Sequence, residues 1–135
     1  MPAGYSKNPL PKKLGIKPGY RVSVLNEPTG FRSLLVDLPV DVAFQRKLEG
    51  DVDMVIAFYT DHASLQRDLE KLGQTIFPNQ ALWLAWPKKS SGVGTDLTGD
   101  VVRATVLQTK MVDIKICAIS DVFSGLKVVW RKQHR

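Results

Sequence analysis

A single cysteine, Cys117, stands in 135 residues, so no disulfide can close within the chain. A reducing, cytoplasmic setting is the reading that follows. No apolar run approaches the roughly 20 residues of a membrane span, which argues against a helical membrane protein. The opening Met1-Pro2-Ala3-Gly4-Tyr5-Ser6 carries no apolar signal region. With two histidines, His62 and His134, and that one thiol, no Cys/His spacing of a zinc site exists. No Gly-x-Ser-x-Gly elbow occurs, so a serine hydrolase lacks its nucleophile. Acids are missing from residues 1–21 and again from 127–135, although both ends carry lysine and arginine.

What is present is an ordinary globular composition, 44% hydrophobic and 24% charged, at a length that suits one domain. The net charge of +6 belongs to the ends, because all thirteen acids lie between residues 22 and 126. Lys7, Lys12, Lys13, Lys17 and Arg21 sit at one end, and Lys127, Arg131, Lys132 and Arg135 at the other. Such ends read first as solvated tails, and second as a nucleic-acid or protein interaction module.

Residues 1–19 hold four prolines and three glycines. They read as an N-terminal arm with at most one helical turn near Leu10–Leu14. The arm has two destinations, its own domain (residues 20–135) or a second copy in a homodimer. Beyond it the chain alternates strand and helix. Arg21–Asn26 reads as a first strand. Phe31, Leu34, Leu35 and Leu38 mark one helix face that Pro39 ends. Val42–Arg46 is a short second strand, and the apolar Val52–Tyr59 a third, covered on both faces. Leu65, Leu69, Leu72 and Ile76 stripe a helix capped by Asp61 or Ser64. Ala81–Trp86 is a fourth strand. Leu97, Val101, Ala104 and Met111 suggest a helix to about Lys110. Asp113–Ile119 and Leu126–Arg131 close the chain, and their short link requires an antiparallel hairpin. The whole reads as α/β, a three-layer Rossmann-like sandwich around a mostly parallel sheet. Cys117 reads as a small core hydrophobe and the three tryptophans as core, with Trp86 at a strand end.

In an open parallel sheet, ligands sit beyond the carboxyl ends of the strands. There the sequence delivers Asn26 and Glu27, then Thr60 to His62, then the loop Trp86–Leu97, then Ser120 to Ser124. The loop is the densest in donors. Lys88 and Lys89 offer charge, Ser90, Ser91 and Thr95 hydroxyls, and Gly92 backbone access, with Asp96 at a helix start. With Asn26 and Glu27 opposite, these residues form the candidate site for a small anionic metabolite. The phosphate fingerprints are not met. Gly94-x-x-x-x-Gly99 runs into Asp100-Val101 instead of Lys-Ser/Thr, and Gly92-x-Gly94 has no third glycine. Asp61-His62 reads as a helix cap beside an exposed histidine, ahead of a general base with its carboxylate.

Gly15–Val22, the Asp53–Tyr59 strand, the Pro78-Asn79 turn into Ala81–Trp86 and the terminal hairpin together resemble the class I methyltransferase core over residues 14–132. That resemblance implies the strand order 2-1-3-4-6-5 and S-adenosylmethionine as cofactor of a methyltransferase. The chain departs from the family's glycine cluster at Leu25–Gly30, and Gln45-Arg46-Lys47 stands where a ribose-binding acid belongs. Tyr5-Ser6, Pro9–Lys17, Trp86–Gly92, Thr95–Thr98 and Ser124–Lys127 are similar to a family of small bacterial proteins known only as a domain of unknown function. It implies a bacterial cytosolic protein and no catalytic activity, hence a degenerate methyltransferase-like fold that binds a ligand.

Overall fold

The computed structural model describes residues 8–135. Six strands form one sheet in the order β2-β1-β3-β4-β6-β5. β1 (Arg21–Leu25), β2 (Ala43–Gln45), β3 (Met54–Phe58) and β4 (Ala81–Pro87) run parallel. β6 (Phe123–Trp130) lies antiparallel to β4 and to the edge strand β5 (Met111–Ala118). Every residue of β3 is buried, as an apolar central strand covered on both sides must be.

Two helices cover one face. α2 (His62–Ile76) lays its stripe Leu65, Leu69, Leu72 and Ile76 on Val55, Ala57, Leu82 and Leu84. α3 (Gly99–Leu107) adds Val102 and Val106 to the same core. The opposite face is covered more thinly. The short helix α1 (Leu10–Leu14), with Ile16 just beyond it, packs Leu10 and Leu14 against Met54, Ile56 and Trp83. The Trp83 indole donates to the Leu14 carbonyl at 2.9 Å, tying that helix to the sheet. Of the arm's two destinations, residues 10–16 take their own sheet; residues 1–7 lie outside the described part.

The segment after β1 is a correction. The spacing of Phe31, Leu34, Leu35 and Leu38 predicts a helix, but only a 3-10 turn forms, at Arg32–Leu34. Phe31 and Leu35 are buried, whereas Leu34, Val36, Leu38 and Val40 face outward. Asp37 and Asp41 take left-handed φ values of 56° and 60°, which interrupt any helix there. The predicted stripe therefore supplies two anchors and no helical face.

Smaller shifts follow the same logic. α3 stops at Leu107, and Met111 opens β5 instead of closing the helix. Of the three candidates for the cap of α3, Thr95, Asp96 and Thr98, it is Thr98 that accepts from the Val101 amide, at 3.2 Å. Cys117 is half-buried against the α1-side core.

Candidate functional site

The parallel strands β1, β3 and β4 deliver their exits to one edge, which the β5–β6 turn borders. The sheet order reverses around β1, with β2 on one side and β3 on the other. Open α/β sheets hold ligands in the crevice at such a switch point. Asn26 leaves β1 with φ 55°, and its side-chain amide donates to the Phe58 carbonyl at 3.0 Å, which clips the exits of β1 and β3 together. Gly30 follows at φ 87°, with open space where a side chain would project.

Two cavities flank this backbone and share the wall Pro28–Gly30. One, about 460 Å³, is polar: Asn26, Glu27, Thr29, Arg32, Ser33 and Arg46 contribute to it. The Glu27 carboxylate oxygen Oε1 lies 3.2 Å from Arg32 Nη2, an ion-pair distance. That oxygen is nevertheless buried and has no hydrogen-bond partner, so the contact is one of charge without hydrogen-bond alignment. The Arg32 guanidinium in turn stacks 4.1 Å above the Phe44 ring. The second cavity, about 620 Å³, is mainly apolar. Phe31, Phe58 and Phe123 line it in an edge-to-face row with centroids 5.0 and 5.1 Å apart. Lys13 and Asp121 stand at its margins.

The candidate residues divide between these cavities and a different region. Asn26 and Glu27 line the polar cavity, whereas Lys88, Lys89, Ser90, Ser91, Gly92, Thr95 and Asp96 line neither. Three of the loop's polar side chains, Ser91, Thr95 and Asp96, bond within the protein. Ser91 donates to the Lys88 carbonyl at 2.6 Å and accepts from the Val93 amide at 3.2 Å. Thr95 donates to the Thr60 carbonyl at 2.5 Å and accepts from the Leu97 amide at 3.0 Å. Asp96 Oδ1 accepts from the His62 amide at 2.8 Å, so it serves the start of α2. Asp61 caps the same helix through the Ser64 amide and hydroxyl, and those bonds hold its carboxyl below the usual range.

His62 is half-buried between α2 and α3, not exposed, with Nε2 3.0 Å from the Thr105 hydroxyl oxygen. Thr105 gives its only proton to the Val101 carbonyl at 2.8 Å. The imidazole must therefore donate through Nε2–H, which makes it a brace between helices. Among the described residues, no group of three or more His, Cys, Asp or Glu could hold a metal ion, and no helix is long and apolar enough to cross a membrane.

Arg32, Arg46, Phe31 and Phe58 line these cavities and were missed by sequence reasoning, which placed only Phe123 of the phenylalanine row on this edge. Arg32 and Phe31 were absorbed into the expected helix. Arg46 stood out only as a departure from an acidic position. For Phe31, Arg32 and Arg46 the signal that could have found them is a place just beyond β1 or β2 at a switch point; Phe58 closes β3 on the same edge.

No family model matches the chain, and no curated protein matches it. Solved structures do. A Sulfolobus solfataricus protein, provisionally assigned as a type 11 methyltransferase, is similar with a TM-score of 0.63 and 11% identity, over 91% of this chain and 90% of that one. An S-adenosylmethionine-dependent methyltransferase of Aquifex aeolicus gives 0.62 and 14%, over 87% and 85%. The magnesium protoporphyrin IX methyltransferase of Synechocystis PCC 6803 with bound S-adenosylmethionine gives 0.57 and 13%, over 90% and 74%. At these identities the likeness is one of architecture: the chain has the Rossmann-like fold of the class I methyltransferases.

Proposed function

We propose that the chain binds S-adenosylmethionine in the polar cavity at the end of β1 and acts as a methyltransferase-like protein. The observation that carries this reading is Glu27 Oε1, a buried acceptor with no hydrogen-bond partner in the wall of a switch-point cavity. A buried acceptor left unsatisfied is unfavourable, and a ligand ammonium or hydroxyl would relieve it. The donor set suits the cofactor's chemistry. Glu27 would take the amino group or a ribose hydroxyl, and Arg32 or Arg46 the amino-acid carboxylate. The volume lies within the 300–1,000 Å³ or so of small-molecule sites. When bound, the cofactor supplies a methyl group on a sulfonium, open to attack by a nucleophile. The adjoining cavity, floored by Phe58 and walled by Phe31 and Phe123, suits an acceptor with an apolar, planar body.

Titration calorimetry with S-adenosylmethionine and S-adenosylhomocysteine tests the reading. Saturable heat is expected from the native chain, with affinity at least about tenfold weaker in Glu27→Gln, a loss of about 1.4 kcal/mol. No heat from either compound at millimolar concentration would refute it.

A further inference from the structure

Lysines from the N-terminal segment and from the two closing strands meet on one face of the folded protein. Lys115 and Lys127 sit directly opposite each other across β5 and β6. Lys127 also stands across β6 and β4 from Trp83, whose side chain packs toward α1, so the pair faces α1. From α1 come Lys13, whose Nζ donates to the Ala118 carbonyl at 3.0 Å, and the backbone carbonyl that Lys115 Nζ reaches at 3.1 Å. The Lys127 ammonium lies against Gly15, 3.3 Å from where a Cβ would sit. Lys17 follows two residues later and is exposed.

No carboxylate of the described residues comes within 4.0 Å of any of these four ammonium groups. Like charges placed directly opposite in a sheet are unfavourable. Lysine on an edge strand commonly guards against aggregation, which accounts for Lys115. It does not account for Lys127, which is half-buried on the second strand in.

We propose that Lys13, Lys17, Lys115 and Lys127 form a docking surface for the phosphate backbone of a nucleic acid. A polyphosphate strand supplies closely spaced anions that neutralise several ammonium groups at once. Asp37 and Asp121 border the neighbouring cavities, but neither pairs with one of the four ammonium groups, so the lysines keep their charge for such a strand. The Lys127 ammonium is held below its ordinary pKa by burial and by Lys115 and Lys17, as expected of a cluster awaiting counter-charge. Lys13 also borders the apolar cavity, so a bound strand would run past its mouth. The inference stands apart from cofactor binding, since it uses no residue of the polar cavity.

Fluorescence anisotropy with labelled mixed-sequence duplex and single-stranded oligonucleotides, titrated at several salt concentrations, tests it. Engagement of all four lysines on a duplex gives a log–log salt slope of about −3 to −4. Lys115→Gln with Lys127→Gln should shrink that slope by about 2. Lys71→Gln with Lys89→Gln removes the same charge from exposed positions elsewhere and should leave the slope nearly unchanged. A thermal melt without nucleic acid should show the Lys115/Lys127 variant at least as stable as the native chain. Absence of binding at low salt, equal slopes for the two double variants, or binding of anionic lipid vesicles or polyglutamate in preference to nucleic acid would each overturn the proposal.

Discussion

Replacing Trp83 with phenylalanine should be among the more damaging conservative changes in this chain. Trp83 is fully buried in β4, and its indole N–H donates to the Leu14 carbonyl 2.9 Å away. The substitution keeps an aromatic ring in the core but leaves that buried carbonyl without its donor. An orphaned buried acceptor costs about 1–3 kcal/mol. The smaller ring adds roughly 1 kcal/mol for the space it leaves. The expected loss is therefore about 2–4 kcal/mol. Unfolding entropy of about 2.1 cal/mol/K per residue gives roughly 0.28 kcal/mol/K for 135 residues, so 3 kcal/mol lowers Tm by about 10 °C. Trp86→Phe is the control: Trp86 is buried in the same strand, but its indole makes no hydrogen bond among the described residues. Melting curves followed by circular dichroism should separate the two variants by several degrees. Equal Tm values, or a fall of less than about 3 °C in Trp83→Phe, would refute the claim that this bond fastens α1 to the sheet.

Three further outcomes are expected. Tyr59 donates to Asp68 at 2.8 Å, and burial, aided by that carboxylate, pushes its phenol well above the usual value of 10.0. The unfolded chain then loses a proton that the native chain keeps, so above about pH 10 stability should fall by up to about 1.4 kcal/mol per pH unit; Tyr59→Phe should remove this component in urea titrations at pH 9 to 11 or so. Burial raises the Cys117 thiol despite the nearby Lys13 and Lys115, so its reaction with a disulfide reagent at neutral pH should be slower than that of a free thiol, and a faster rate would contradict the packing. A Cβ at Gly125 would lie 2.6 Å from Ile119 Cδ1 and 3.1 Å from Trp83 Cε3, so Gly125→Ala should lower stability by about 1–3 kcal/mol in chemical denaturation.

The sheet was legible because strands and helices differ in the period of their apolar residues. Ala81–Trp86 and Asp53–Tyr59 could only be covered strands, and the six residues between the last two strands could only be a hairpin. Residues 31–38 defeated the same reasoning. Their spacing matches a helix, yet the left-handed Asp37 and Asp41 and the outward Leu34, Val36 and Leu38 belong to an irregular crossover. Periodicity reports which residues are apolar, not whether the backbone between them stays helical. The site was half legible for a related reason. Asn26 and Glu27 lie where strand direction places them, but Arg32 and Arg46 reach the cavity through that crossover and through β2.

The polar density of the 86–97 loop has an origin in the topology. β3 and β4 lie side by side, and both feed helices on the same face. Two helix starts with unpaired amides therefore sit next to two strand exits with unpaired carbonyls, and short polar side chains serve them. Thr95 crosses to the Thr60 carbonyl and Asp96 to the His62 amide, so each loop completes its neighbour. β1 has no such helix after it, only a 3-10 turn, and Glu27 Oε1 has the Arg32 guanidinium at ion-pair distance but no hydrogen bond. Ser91, Thr95 and Asp96 of the richest loop are thus used within the protein, while the sparser exit of β1 keeps a buried acceptor without a hydrogen bond. Donor count by itself is a poor guide to a binding edge; the better guide is whether the helix that would use up those groups has formed.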